Sequence, residues 1–331
     1  MAAPQLKAGA GSVKVTTSGS PSYELSVAYT LHAPGTGEIN PYAPVLVLLH
    51  PFTTSQEYWK PQLDDPEFGQ RYACMTFDFP GHALSPTHGR AWSHWDMAQA
   101  VLAALDQVGV PRAVVIGVSQ GGFTAYRIAM LDQKRAGITV ERKILGIVSA
   151  GSSIDPEAKD FVKQYSDMAS NIALAARGES GKSGSNDEAL KMISSGMAQD
   201  QVETDDDKSR IGDWSQFTRS VVTRSLSKAV EADPTKLGDQ IETNFKALLH
   251  RDGIADRVKG GEVTCPVLVV HGSKDVAYPP ADDYHARQID ALKAAGTRAD
   301  LEMIDGAPHF ISLSAWREFD TAVLKWIDTL A

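Results

Sequence analysis

The chain has 331 residues, enough for one large domain or a domain carrying an insertion. With 43% hydrophobic and 22% charged residues it has the composition of an ordinary soluble globular protein. The formal net charge of −9, with no basic cluster of five or more residues, argues against nucleic acid as a partner, and no apolar run is long enough to cross a bilayer.

The opening Met1-Ala2-Ala3-Pro4-Gln5-Leu6-Lys7 lacks the apolar core of a secretory signal, so the expected location is cytoplasmic. Residues 11–17 and 23–29 alternate apolar and polar around a Ser-Gly-Ser-Pro turn and read as an antiparallel hairpin. Strands are expected near 44–49, 72–78, 112–117 and 144–150, with a helix near 93–108 that carries Met97, Val101, Leu102 and Leu105 on one face. After the third of these strands comes Gly117-Val118-Ser119-Gln120-Gly121, and then a helical run from Gly122 to Met130. Strand, G-x-S-x-G turn and helix together make a nucleophile elbow, which holds its serine in a strained turn above the sheet edge. Glycine is needed two residues to either side because a Cβ there would crowd the turn.

The alternation breaks after 150. From 152 to 261 no strand is evident, and helical pieces fall near 156–176, 187–200, 213–232 and 237–250. The stretch from Arg177 to Asn186 is rich in Gly and Ser and has no large apolar residue, so it is expected among the more mobile parts. The strand pattern resumes near 266–271 and 299–304. A closing helix carries Trp316, Phe319, Val323 and Trp326 at helical spacing. Strands alternating with helices imply a mostly parallel sheet covered on both faces.

Four further segments stand in a telling order. Pro44 to Phe52 is an apolar strand ending in His50-Pro51-Phe52; Asp78-Phe79-Pro80-Gly81-His82-Ala83-Leu84-Ser85 is a D-x-P-G-H-A-x-S segment; Pro266 to Asp275 is a strand ending in an acid; and Gly306-Ala307-Pro308-His309-Phe310 follows the last strand. With the elbow, they resemble the α/β-hydrolase family, Ala83 replacing a usual Gly. The resemblance implies a mostly parallel eight-stranded α/β-hydrolase sheet, formed by 1–151 and 262–331, with a helical cap inserted at 152–261. In that fold the strands near Cys74 and Cys265 are not neighbours, so both cysteines are expected to be buried thiols rather than a disulfide.

A serine hydroxyl needs a base within reach, and the base needs an orienting acid. In the family these follow in the order Ser, acid, His, which assigns Ser119, Asp275 and His309. Asp155, after the preceding strand, is the alternative acid. Two backbone amides must hold the oxyanion. The first is that of Gln120. The second cannot be that of Pro51, which has no N–H, and is assigned to Phe52. His50 and His82 read as structural, hydrogen bonding loop backbone, and His94 and His285 as surface or cap-facing. Phe52, Phe161, Tyr165, Trp214 and Phe217 are candidate pocket residues that suggest an apolar substrate, although their spacing is equally that of packing residues.

No metal-ligand spacing, phosphate loop or dinucleotide fingerprint occurs, so no metal or cofactor is expected. The elbow serine sets aside the branches that use an Asp or Cys nucleophile. The expected activity is hydrolysis of a small carboxylic ester or lactone through an acyl-enzyme. The alternatives are a carbon–carbon bond hydrolase, amidase or lyase on the same triad, or a hydrolase-fold ligand receptor with slow or no turnover. The motifs do not separate them, because the cap chooses the substrate.

Overall fold

The computed structural model describes residues 6–136, 143–179, 185–203 and 213–330. Its strands are β1 (Gly9–Thr16), β2 (Glu24–His32), β3 (Val45–Leu49), β4 (Cys74–Phe77), β5 (Ala113–Val118), β6 (Ile144–Ala150), β7 (Val267–Gly272) and β8 (Ala299–Ile304). They form one eight-stranded sheet in the order β1-β2-β4-β3-β5-β6-β7-β8. β2 is antiparallel to both β1 and β4, and the remaining pairs are parallel. The hairpin and the mostly parallel sheet expected from the alternation are both present.

The central strands are apolar at nearly every position because both sheet faces are covered. β3, β5 and β7 read VLVLL, AVVIGV and VLVVHG, and each is buried throughout. Successive residues serve opposite faces, as the two-residue strand period requires. Val45, Val47 and Leu49 enter one core, with α2 (His94–Val108) and α3 (Gln120–Ala136). Leu46 and Leu48 enter the other, with α11 (Trp316–Ile327). β1 and β8, at the two edges, keep exposed positions. The start of α2 is fixed by a capping box, with Ser93 and Asp96 each accepting from the other's backbone N–H, and Gly109 ends it in the left-handed region.

Between β6 and β7 the described chain is helical: α4 (Lys159–Arg177), α5 (Asn186–Gln201), α6 (Trp214–Ala229), α7 (Leu237–Leu249) and the short α8 (Ala255–Lys259). Apolar faces of α4 to α7 form a separate cluster that also holds Phe52 and Phe123 from the sheet side. The core under the sheet also takes in residues ahead of β7. Ile254 and Val258 belong to the core under the sheet, and the Ile254 amide donates to the Ile154 carbonyl at 2.8 Å, closing the two ends of the insertion against each other. Of the Gly/Ser-rich stretch, residues 180–184 lie outside the described residues, so its expected mobility does too. The flanking Arg177 pairs with Asp239 and Glu242 of α7.

Candidate active site

The chain leaves β3 for β4 on one side and returns to β5 on the other. At such a switch point the loops diverge and leave a crevice beyond the carboxyl ends of the strands. Ser119 stands there, directly after β5. Its φ is +54°, a left-handed conformation costing a non-glycine residue about 1 kcal/mol or more. Neighbouring contacts enforce it. A Cβ on Gly117 would lie 2.1 Å from the Gly121 carbonyl carbon, and one on Gly121 would lie 2.1 Å from the Leu49 oxygen. The Ser119 amide donates to the Ala150 carbonyl at 2.8 Å, tying the turn to the end of β6.

Asp275 and His309 meet above β6 and β7. The His309 Nδ1 lies 2.9 and 3.0 Å from the two carboxylate oxygens of Asp275. Asp275 Oδ1 also accepts from the amides of Ala277 and Tyr278, each at 2.9 Å. Both residues are about 3% exposed. Burial alone would raise the Asp275 pKa. The His309 imidazole, His271 and the Tyr278 amide outweigh burial and hold it below the ordinary carboxylate value. Gly151, with φ of +49°, leaves room for the pair: a Cβ there would come within 3.1 to 3.3 Å of His309 and Asp275. Asp155 is elsewhere, its carboxylate paired with Arg287 Nε at 2.8 Å.

Ser119 and His309 line one cavity of about 40 Å³. Ser119 Oγ makes no hydrogen bond among the described residues, a looseness common before substrate binds. The Phe52 and Gln120 amides likewise have no acceptor among the described residues. The loop bearing Phe52 is held firmly. Thr53 sits at φ +63° and donates its amide to His82 Nε2 at 3.2 Å. His50 Nε2 accepts from the Phe79 amide at 3.0 Å, which leaves Nδ1 as the donor to the Pro51 carbonyl. Burial first, offset in part by backbone acceptors, holds His50 well below the ordinary imidazole value and pushes His82 down to about 4. Asp78 accepts from the amides of Gln56 and Leu84 and so ties this loop to the P-G-H turn.

Of the candidate pocket residues, Phe52, Phe161 and Tyr165 line the cavity, the last two stacked at 4.1 Å between ring centroids. Trp214 and Phe217 do not. They pair edge-to-face at 5.4 Å and pack on the core cluster that contains Phe310. Helical spacing shows that a face is apolar but not which surface it meets. Of the two readings of His94, surface or cap-facing, the first does not hold: it is 2% exposed, with Nδ1 2.9 Å from Thr124 Oγ1, and lies against Ala247 of α7. The cavity residues outside the sequence candidates include the polar Glu157, Gln201 and Tyr278. Glu157 pairs with Arg251, 94 positions away, a partnership no local signal announces.

A larger concavity, about 960 Å³, lies between β2, β4 and α6, beside His32, Asp78 and Arg224. Its His32 Nε2 lies 3.0 Å from Thr76 Oγ1, but no carboxylate orients that imidazole among the described residues, so the hydrogen-bonded Asp275–His309 pair rather than size marks the Ser119 cavity as the candidate site. Among the described residues no group of three or more His, Cys, Asp or Glu is placed to hold a metal. Among the described residues no helix is long and apolar enough to cross a membrane. Cys74 and Cys265 are both buried and are not joined in a disulfide.

A family profile described as alpha/beta hydrolase fold matches residues 44–315, and the chain belongs to that family. It is 23% identical over 290 residues to the biotin biosynthesis bifunctional protein BioHC of Cellvibrio japonicus, covering 87% of this chain and 48% of that protein. It is 28% identical over 87 residues to 3-oxoadipate enol-lactonase 2 of Acinetobacter baylyi, covering 26% of this chain and 32% of that one. The alignments thus span less than half the length of these curated relatives. A thermophilic esterase from Thermogutta terrifontis has a similar solved structure, with a TM-score of 0.69, 16% identity, and coverage of 97% of this chain and 99% of that one.

Proposed function

We propose that the protein is a serine hydrolase that cleaves a small carboxylic ester or lactone through an acyl-enzyme. The observation that carries this reading is the hydrogen-bonded Asp275–His309 pair sharing one cavity with a serine held at positive φ. His309 Nδ1 donates to Asp275, which leaves Nε2 unprotonated and able to take the Ser119 proton. Ser119 Oγ attacks the carbonyl carbon, and the oxyanion settles between the Phe52 and Gln120 amides. His309 then protonates the leaving alkoxide. Water, deprotonated by the same imidazole, attacks the acyl-enzyme and frees Ser119.

In this reading the helices between β6 and β7 act as a cap. The support is that α4, α5 and α7 contribute Tyr165, Met197, Gln201 and Leu248 to the wall around Ser119. About 40 Å³ is small beside the ~300–1,000 Å³ of typical ligand sites. The site therefore favours a compact group, and the cap opens for entry and release. The names of the enol-lactonase and esterase to which the chain is similar agree with ester and lactone chemistry.

A panel of short, long and aromatic acyl esters and lactones tests the reading, with Ser119→Ala as control. Sustained turnover of short esters or lactones, lowered at least ~10³-fold in Ser119→Ala, is expected. A single slow turnover with trapped product, or turnover of amides alone, would overturn it.

A further inference from the structure

The wall of the catalytic cavity is mostly apolar, yet two polar side chains are set into it without a full complement of partners. Glu157 and Arg251 form an ion pair whose side chains are 3% and 2% exposed. Both the Arg251 guanidinium and the Tyr278 hydroxyl, at 2.6 Å, bond to the same carboxylate oxygen, Oε1. Oε2 has no hydrogen-bond partner among the described residues, and Glu157 lines the cavity with Ser119 and His309. Gln201, at the end of α5, is 5% exposed and lines the same cavity. Its Oε1 is buried without a hydrogen-bond partner among the described residues. The backbone carbonyl of Gln201 accepts from the Phe310 amide at 2.7 Å, fixing the residue beside the His309 loop.

A buried acceptor that has given up water and found no partner destabilises the fold. Packing alone does not explain it here, since Met or Leu would fill the same wall. We infer that Glu157 Oε2 and the Gln201 carboxamide receive a hydrogen-bond donor of the substrate, so that the cavity selects small neutral esters or lactones bearing a hydroxyl or N–H on the enclosed group. Arg251 already balances the Glu157 charge and is itself capped by the Phe123 ring at 3.8 Å, so the site offers a cation little net attraction. An anionic group would face the Glu157 carboxylate. A neutral donor fits both acceptors. Glu157 and Gln201 are then specificity-determining residues in a site whose chemistry rests on the hydrolase reading above.

Matched esters test this. Propyl butanoate is compared with propyl 3-hydroxybutanoate, which has the donor on the acyl side, and with 2-hydroxyethyl butanoate, which has it on the leaving side; 2-methoxyethyl butanoate is the acceptor-only control. The wild-type protein is expected to prefer one of the two hydroxyl esters at least tenfold in kcat/KM, with no gain from the methoxy ester. Gln201→Met keeps the length and apolar bulk of the side chain and is expected to bring that ratio to within about threefold of one. Glu157→Gln gives a second reading of the ratio, but it unpairs Arg251, so Gln201→Met is the decisive variant. If plain and hydroxyl esters are turned over equally, or the preference survives Gln201→Met, donor recognition is overturned while the ester hydrolase reading stands. If no ester is turned over, that reading fails, and NMR titration of Ser119→Ala with 3-hydroxybutanamide and butanamide decides the inference. At least fivefold tighter binding of the hydroxylated amide supports it, and equal binding overturns it.

Discussion

Replacing Asp275 with Asn keeps size and shape and changes one atom that matters. Asp275 Oδ1 accepts from the Ala277 and Tyr278 amides, and both carboxylate oxygens face His309 Nδ1. An Asn side chain has one oxygen and one NH2 to place. Turning the NH2 toward the two amides would leave two buried donors unpaired, at about 1–3 kcal/mol each, or roughly 2–6 kcal/mol together. Turning it toward His309 costs no hydrogen bond, because the imidazole can shift its proton to Nε2 and accept at Nδ1. The second arrangement wins, and it leaves Nε2 protonated and unable to take the Ser119 proton. A tautomer fault of this kind lowers kcat by roughly 10³–10⁴-fold, which is about 4–5.5 kcal/mol of transition-state stabilisation at ~1.36 kcal/mol per decade. The assay is kcat/KM on a short ester beside a thermal melt. Asp275→Asn is expected to fold and to lose at least ~10³-fold, whereas Asp155→Asn, which breaks only the pair with Arg287, is expected to lose less than about threefold. A folded Asp275→Asn within tenfold of wild type would refute the reasoning.

Three other outcomes follow from the same geometry. Gly151→Ala puts a Cβ within 3.1 to 3.3 Å of His309 and Asp275 at a positive φ; kcat is expected to fall roughly 10²-fold, as for a displaced catalytic group, and wild-type kcat in this variant would show that the pair tolerates displacement. Tyr165→Ala is expected to change the ratio of kcat/KM between a short and a bulky ester, while Trp214→Ala lowers the melting temperature and affects both esters alike; the reverse pattern would move the pocket toward α6. Buried His50, His82, His94 and His271 all have lowered pKa values, with burial the leading cause. Such groups bind fewer protons folded than unfolded, so their contribution is complete above the ordinary imidazole value of ~6.5 and is lost as pH falls below it. For His82, at about 4, the loss on reaching that pH is on the order of 3 kcal/mol. Urea midpoints are therefore expected to fall steeply between pH 7 and pH 5, and a flat profile would contradict the burial argument.

The parts of this architecture written in local sequence were legible. Short β-branched runs such as VLVLL and AVVIGV read as strands buried on both faces, and Gly117 of the G-x-S-x-G turn is required by crowding against Gly121, its near neighbour in the chain. What local sequence could not carry was the pairing of distant surfaces. The Trp214–Phe217 face is apolar at helical spacing whether it meets a substrate or the Phe310 cluster. Glu157 and Arg251 are ordinary charged residues until the two ends of the insertion close through Ile154 and Ile254. Gln201 stands out only once its carboxamide is seen buried without a partner. The polar residues around 255–262 likewise hide Ile254, Val258 and Val263, which pack in the core under the sheet.

The central claim is that Ser119 is the nucleophile of this site, and covalent labelling tests it most directly. The intact protein is treated with a fluorophosphonate probe, digested, and the modified peptide is mapped by mass spectrometry. One adduct per chain on Ser119 is predicted, absent from Ser119→Ala and slowed strongly in Asp275→Asn. An adduct on another residue, or undiminished ester turnover by unlabelled Ser119→Ala, would contradict it.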